Sequence, residues 1–114
     1  WTYSDGRWQG FLGTPAIDVV IDLGKTTSIN NVEMSFMQMK RTEVFLPSKV
    51  QVMLSNDGQT YDEVYSKDEP QEDTENPLYR THKWKGHKKA RYVHVKVEKS
   101  TFGGFVMCDE IIIR

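Results

Sequence analysis

The stretch Trp8-Gln-Gly-Phe-Leu-Gly-Thr-Pro-Ala-Ile-Asp-Val-Val-Ile-Asp-Leu-Gly-Lys25 decides how the rest of the chain is read. In its second half Ile17, Val19, Ile21 and Leu23 fall on one side, and Asp18 and Asp22 on the other. Alternation of this kind marks a half-buried antiparallel strand. Pro15 precedes the strand, where a missing N–H does no harm, and Gly24 ends it. Carboxylates on the outer face argue against a parallel strand covered on both sides.

The same pattern recurs outward from this stretch. Val32, Met34 and Phe36 share a face in 29–37, and Val50, Val52 and Leu54 in 48–54. Asp57-Gly58 is a hairpin signal, with Tyr61–Tyr65 as the returning strand. Residues 78–84 alternate weakly, and 91–97 cleanly, with Val93, Val95 and Val97 inward. Residues 105–113 close the chain as a β-prone strand. That makes seven expected strands, with turns at 25–28 and 85–90 and loops at 1–15, 38–47, 66–76 and 98–104. No segment repeats at helical period, so a βαβ architecture is excluded. Short strands between turn signals give an all-β sandwich or barrel.

A chain of 114 residues makes one domain with room for a core. The net charge of −1 supplies no field to draw nucleic acid or anionic lipid. Cys108 is the one cysteine, which rules out an internal disulfide, and its apolar surroundings read as burial. There is no transmembrane run and no signal peptide. The start at Trp1, within what reads as a loop, is expected of a piece cut from a longer protein.

The chemistry-bearing residues point away from catalysis. The acidic loop of Asp68, Glu69, Glu72, Asp73 and Glu75 lacks the spacing and glycine of an EF-hand and reads as a solvated loop. Lys83, Lys85, His87, Lys88, Lys89 and Arg91 read as a solvated basic hairpin rather than a polyanion site. His82, His87 and His94 have no Cys-x-x-Cys or His-x-x-x-His pair beside them, so zinc is not expected. No nucleophile motif or recognisable glycosidase carboxylate is present. Asp109-Glu110 interrupts an apolar strand, and a carboxylate there needs either a cation or an Arg. Aromatic rings in loops suit sugars. A pyranose stacks its C–H face on a ring, and its hydroxyls take bidentate partners such as Arg, Glu or Gln. Residues 38–47 offer Gln38, Lys40, Arg41, Glu43 and Phe45, and the 99–104 loop offers Phe102.

Four blocks carry a family resemblance: Trp8 to Val32 with "VVIDLGK", "FLPSKVQVMLSNDGQTY" at 45–61, "ARYVHVKV" at 90–97 and "DEIIIR" at 109–114. In this order they resemble the discoidin family, the coagulation-factor type C domains, which overlaps family 32 of the carbohydrate-binding modules. "DGRWQGFLG" followed by "VVIDLGK" is similar to the copy appended to bacterial β-N-acetylhexosaminidases of glycoside hydrolase family 20. The resemblance implies a jelly-roll β-sandwich, galactose-binding-domain-like, whose first strand lies upstream of Trp1. It also implies a non-catalytic module that binds galactose- or N-acetylhexosamine-type glycans, beside the catalytic domain of a secreted, periplasmic or cell-surface bacterial glycosidase. Gln38, Arg41, Glu43, Phe45 and Phe102 would line the sugar site, and Arg41→Ala would abolish binding. A structural calcium ion would be held by Asp109, Glu110 and, as a substitute for the upstream half of that site, Asp5. The rival expectation is a structural domain that packs on the catalytic domain and binds no sugar. Phospholipid or protein adhesion is a third, with Phe45-Leu46 as its only apolar loop tip. No membrane insertion is expected.

Overall fold

The computed structural model describes the backbone of residues 7–9 and 16–114, and the side chains of 16–108 and 111–114. Within these residues the chain forms six strands: β1 (Arg7–Gln9), β2 (Ile17–Gln38), β3 (Lys49–Ser55), β4 (Asp62–Asp68), β5 (Leu78–Glu98) and β6 (Met107–Ile113). All neighbouring pairs are antiparallel, in the order β1-β6-β2-β5-β3-β4. The expected all-β antiparallel sandwich is therefore the observed fold. One detail of the first stretch differs: Arg7–Gln9, expected as loop, pair with Ile112–Glu110 as a short strand.

The seven expected strands become five because β2 and β5 each absorb two of them, and β1 makes the sixth. At 22 and 21 residues they are several times the usual strand length. They bend instead of stopping. Between the pairs Asp22↔Tyr92 and Thr27↔Ala90, residues 23–26 of β2 face only Arg91 of β5. Gly24 supplies the left-handed backbone this bulge needs, at φ 86°. Asp22 holds it, accepting from Gly24 N at 2.8 Å and from Arg91 Nε and Nη2 at 2.8 and 3.1 Å. The Arg91 guanidinium, then the Gly24 N–H, hold the Asp22 carboxyl below its ordinary value. A second register shift lies between Ile29↔Lys88 and Asn31↔Lys85. The expected turns at 25–28 and 85–90 are these bulges. The basic run is thus strand: His87 Nδ1 lies 2.8 Å from Asn30 Oδ1, and Lys88 pairs with Asp62 at 2.8 Å.

Each bulge changes the parity of the buried positions in one of the two strands: the second in β2, where Ile29 gives way to Val32, and the first in β5, where Ala90 gives way to Val93. Ile17 and Ile21 are buried in the first half of β2, then Val32, Met34 and Phe36 in the second. In β5 His82 and Ala90 give way to Val93, Val95 and Val97. A shift of one residue flips the face, so the bent strands keep an apolar side inward in both layers. One layer holds the start of β2 and end of β5 with β3 and β4, and the other holds their remaining halves with β6 and β1. Ile21, Val52, Val93 and Val95 from the first layer join Met34, Phe36, Cys108 and Ile111 from the second in a single buried cluster. Cys108 is 1% exposed, as its surroundings indicate.

The Asp57-Gly58 hairpin closes β3 on β4. Asp57 Oδ1 accepts from Gln59 N and Thr60 N at 2.8 and 2.9 Å, and Gly58 takes φ 78°. This turn, the bulges and Arg114 occupy one end of the sandwich. The connections 39–48, 69–77 and 99–106 gather at the other.

Candidate functional site

The three connections at that end are joined by hydrogen bonds between their backbones and by two buried or half-buried glutamines. β2 ends at Gln38, and one turn of 3-10 helix (Lys40–Thr42) follows, closed by Glu43 in the left-handed region at φ 58°. Met39 and Val44 exchange backbone hydrogen bonds of 2.8 and 3.2 Å, which makes 39–44 a closed loop. Phe105 N donates to Glu43 O, and Phe45 N to Phe105 O, both at 2.8 Å. These bonds weld the 39–45 loop to 99–106. Gly104 lies at the weld: a Cβ there would collide with the Glu43 carbonyl oxygen and come within 2.9 Å of the Phe45 ring.

Gln38 is 1% exposed. Its Nε2 donates to Glu72 O at 2.8 Å, and its Oε1 accepts from Leu46 N at 3.1 Å. This side chain positions the loops and does not face a ligand, which corrects the expectation that it contacts sugar. Gln71 plays the matching part. Its Oε1 accepts from Ser100 Oγ at 2.6 Å and Thr101 N at 3.0 Å, while Nε2 donates to Pro47 O at 3.0 Å and Glu69 O at 3.1 Å. The acidic loop is thus docked over the other two, not merely solvated. Lys40 pulls it further, through Asp73 at 2.6 Å and Glu75 at 3.4 Å, and these contacts raise the lysine's pKa, Asp73 most.

Phe45 and Phe102 come together, with centroids 5.4 Å apart and planes at 47°. Phe45 is 8% exposed and forms the inner ring, while Phe102 stands 44% exposed on top of it. Ser100 Oγ accepts from Phe102 N at 3.1 Å, and Gly103 and Gly104, both at positive φ, turn the chain beyond the ring. A cavity of about 530 Å³ opens beside this loop, lined by Asp18, Ser48, Lys96, Lys99, Ser100 and Thr101 among others. Glu43 is exposed and contributes its carbonyl to the weld. Arg41 is exposed, makes no side-chain hydrogen bond or ion pair among the described residues, and lines a separate crevice with Met39, Lys40, Glu75 and Pro77. Of the five expected sugar-site residues, the structure brings the two rings together, buries Gln38 and sets Arg41 in its own recess.

The calcium expectation falls on Asp5, Asp109 and Glu110. Asp5 and the side chains of the other two lie outside the described residues, whose backbone sets Glu110 opposite Gln9. The third expectation, an apolar tip at Phe45-Leu46, is corrected: the two are 8% and 1% exposed.

Sequence reading missed the part played by Gln71, Ser100 and Thr101, and also the pair beneath the acidic loop. His82 is 3% exposed, with Nδ1 2.8 Å from the Tyr65 hydroxyl and its ring edge-on to Phe36 and Tyr65. Burial, then the Glu69 carboxylate, pushes the Tyr65 hydroxyl up, and the hydroxyl and Nδ1 share one hydrogen bond. His82 Nε2 faces Glu69 Oε1 at 3.4 Å without hydrogen-bond alignment. Burial lowers the His82 pKa from 6.5, and the Glu69 carboxylate opposes that without reversing it. The unfolded chain therefore takes up this proton first as pH falls. Stability holds above about pH 6.5 and declines below it until the folded pKa is passed. The melting temperature should follow that course between pH 7 and 5, and His82→Gln should flatten it. A wild-type profile that rises on acidification would show Glu69 to dominate.

Residues 3–111 match the model of the F5/8 type C domain. The chain belongs to the F5/8 type C family. Among solved structures, this F5/8 type C domain is similar to CpGH89CBM32-6 of Clostridium perfringens, with TM-score 0.62 and 19% identity over 95% of this chain and 75% of that one. CpGH89CBM32-5 of Clostridium perfringens, in complex with GalNAc-β-1,3-galactose, gives TM-score 0.53 and 15% identity over 85% and 65%. The C-terminal domain of a chitobiase from Bacteroides fragilis gives 0.57 and 16% over 87% and 62%. No curated protein matches the sequence.

Proposed function

We propose that this F5/8 type C domain is a non-catalytic glycan-binding module of a secreted or cell-surface bacterial glycosidase. The observation that carries this reading is the Phe102 ring, half exposed and braced on Phe45, on loops that are already fixed by Gln38, Gln71 and the 43–105 weld. A braced ring offers a flat apolar face to a pyranose at little cost in side-chain ordering. Thr101, Lys99 and Asp18, which line the adjoining cavity, supply partners for hydroxyls. The neighbour in complex with GalNAc-β-1,3-galactose and the chitobiase domain support galactose- or N-acetylhexosamine-type sugars, and a β-N-acetylhexosaminidase as the parent enzyme. One sugar buries little surface, so single-site affinity is weak. The benefit comes from tethering, which raises the local concentration of substrate around the catalytic domain.

A glycan array followed by calorimetry tests this. Phe102→Ala should cost at least about tenfold in affinity, some 1.4 kcal/mol. Because the ring is half exposed, the melting point should move little. A variant that binds normally would place the site elsewhere, and silence of the wild type on every glycan would reject the reading.

A second reading has its own observation. On the outer face of the second layer Tyr79, Met37 and Met107 lie in one row across three strands, with Tyr79 56% exposed. Met39 and Phe105 extend it, 38% and 41% exposed. Methionines and rings on an outward face suit a protein surface, such as the catalytic domain of the same enzyme.

A further inference from the structure

The recess around Arg41 has a chemistry of its own. Gln38↔Leu78 is the last pair of β2 and β5, and one step beyond it Met39 and Pro77 leave the ladder. A crevice of about 270 Å³ opens there, lined by Met39, Lys40, Arg41, Glu75 and Pro77. That is just below the range of drug-sized pockets and suits one small ring. Met39 and Pro77 give it an apolar floor, and the ring of Pro77 fixes the backbone on that side.

Its charges are spent unequally. Lys40 is held by Asp73 and Glu75. Arg41 has no ion-pair or hydrogen-bond partner for its side chain among the described residues. Glu75 is 73% exposed and touches Lys40 through Oε1 alone, which leaves Oε2 as a free acceptor. Two cations, Lys40 and Arg41, stand against two anions, Asp73 and Glu75, so the net charge of the group is zero. The crevice therefore presents a planar donor and a carboxylate acceptor over an apolar floor, with no net field. A phosphate or carboxylate would gain from Arg41 and lose to Glu75. A neutral sugar fits better: one hydroxyl accepts from Arg41, its neighbour donates to Glu75, and the C–H face covers Met39 and Pro77. None of the residues lining the crevice belongs to the Phe45–Phe102 pair.

The geometry points to a second subsite, formed by Arg41 and Glu75 over Met39 and Pro77, that takes a further neutral sugar unit of the same glycan. This rests on the reading that the loop end binds glycans. The domain then prefers an uncharged oligosaccharide to its terminal monosaccharide, and Arg41 serves the longer ligand only.

Calorimetry on the intact domain tests it with N-acetylglucosamine, its β-1,4-linked di- and trisaccharides, galactose and GalNAc-β-1,3-galactose. The wild type should bind at least one oligosaccharide about tenfold more tightly than the matching monosaccharide. Arg41→Ala and Glu75→Gln should each remove that gain and leave the monosaccharide value unchanged. Phe102→Ala should weaken both ligands. Affinity should hold from about 50 to 300 mM salt, as expected where no net charge is screened. Asp73→Asn loosens the Lys40 contact without touching the donor or the acceptor, and it should keep the gain. The inference is overturned if Arg41→Ala spares the oligosaccharide, if it weakens the monosaccharide equally, or if Asp73→Asn reproduces the loss. Absence of any sugar binding by the wild type would instead remove the underlying reading.

Discussion

Gly104→Ala should lower the melting temperature by roughly 10–15 °C, whereas Gly103→Ala lowers it by only about a third of that. Both glycines sit in the left-handed region, at φ 66° and 80°, so both variants pay about 1 kcal/mol of backbone strain. The difference lies in the surroundings. A Cβ on Gly103 meets nothing within 4 Å. A Cβ on Gly104 meets the carbonyl oxygen of Glu43 and the ring of Phe45. The first is backbone and cannot rotate away, so the two loops must part. Parting them breaks the Phe105 N to Glu43 O bond, worth about another 1 kcal/mol, and unseats the ring that braces Phe102. Together with the repacking this amounts to about 3 kcal/mol. Sugar binding should vanish in Gly104→Ala even at temperatures where it is folded, and survive in Gly103→Ala. Equal losses in the two variants would mean that conformational strain alone accounts for both, and that the close approach at residue 104 has no energetic weight.

Gln38→Met should destabilise the domain by about 2–3 kcal/mol, although the side-chain volume hardly changes. The thioether fills the space, yet it cannot donate to Glu72 O or accept from Leu46 N. Both groups lose their partner, Leu46 in a position 1% exposed. Denaturant melts read this directly. Binding should weaken as well, because the 39–47 and 69–77 loops lose their common anchor. A residue that only touched sugar would show the opposite pattern, with affinity lost and stability kept. A Gln38→Met protein that melts like the wild type would restore Gln38 to the list of ligand contacts.

Much of the fold is legible in the residue pattern, for a physical reason. The triplets Val93/Val95/Val97, Val50/Val52/Leu54 and Val32/Met34/Phe36 all bury as alternation requires. Alternation reports which side faces inward over a few residues. It does not report whether a change of phase is a turn or a bulge. At 23–28 the alternation lapses, a glycine is present and polar residues follow, all of which suit either outcome. Only the pairing of Thr27 with Ala90 decides it, and that contact lies 63 positions away along the chain.

The site was legible in part. Phe45 and Phe102 draw notice in the sequence because rings in loops need an explanation, and the structure sets them against each other. Gln71 does not, because a glutamine among five acids looks solvated until the carbonyls of Pro47 and Glu69 and the hydroxyl of Ser100 are placed around it. His82 follows the same logic: it sits at an inward position of a weakly alternating segment, and its partner Glu69 comes from a loop with no regular pattern. Gln38 carries a signal that could have been used. It continues the inward parity of Met34 and Phe36, which marks it as buried rather than as the first residue of a loop.

The creases in β2 and β5 have a consequence for how the domain comes apart. Two separate sheets held only by side chains can slide or melt one at a time. Here the same two strands run through both layers, so loss of pairing in one layer withdraws the backbone on which the other is built. Disassembly is therefore a single cooperative event. A domain built in this way offers a protease or an invading chain no layer that opens on its own.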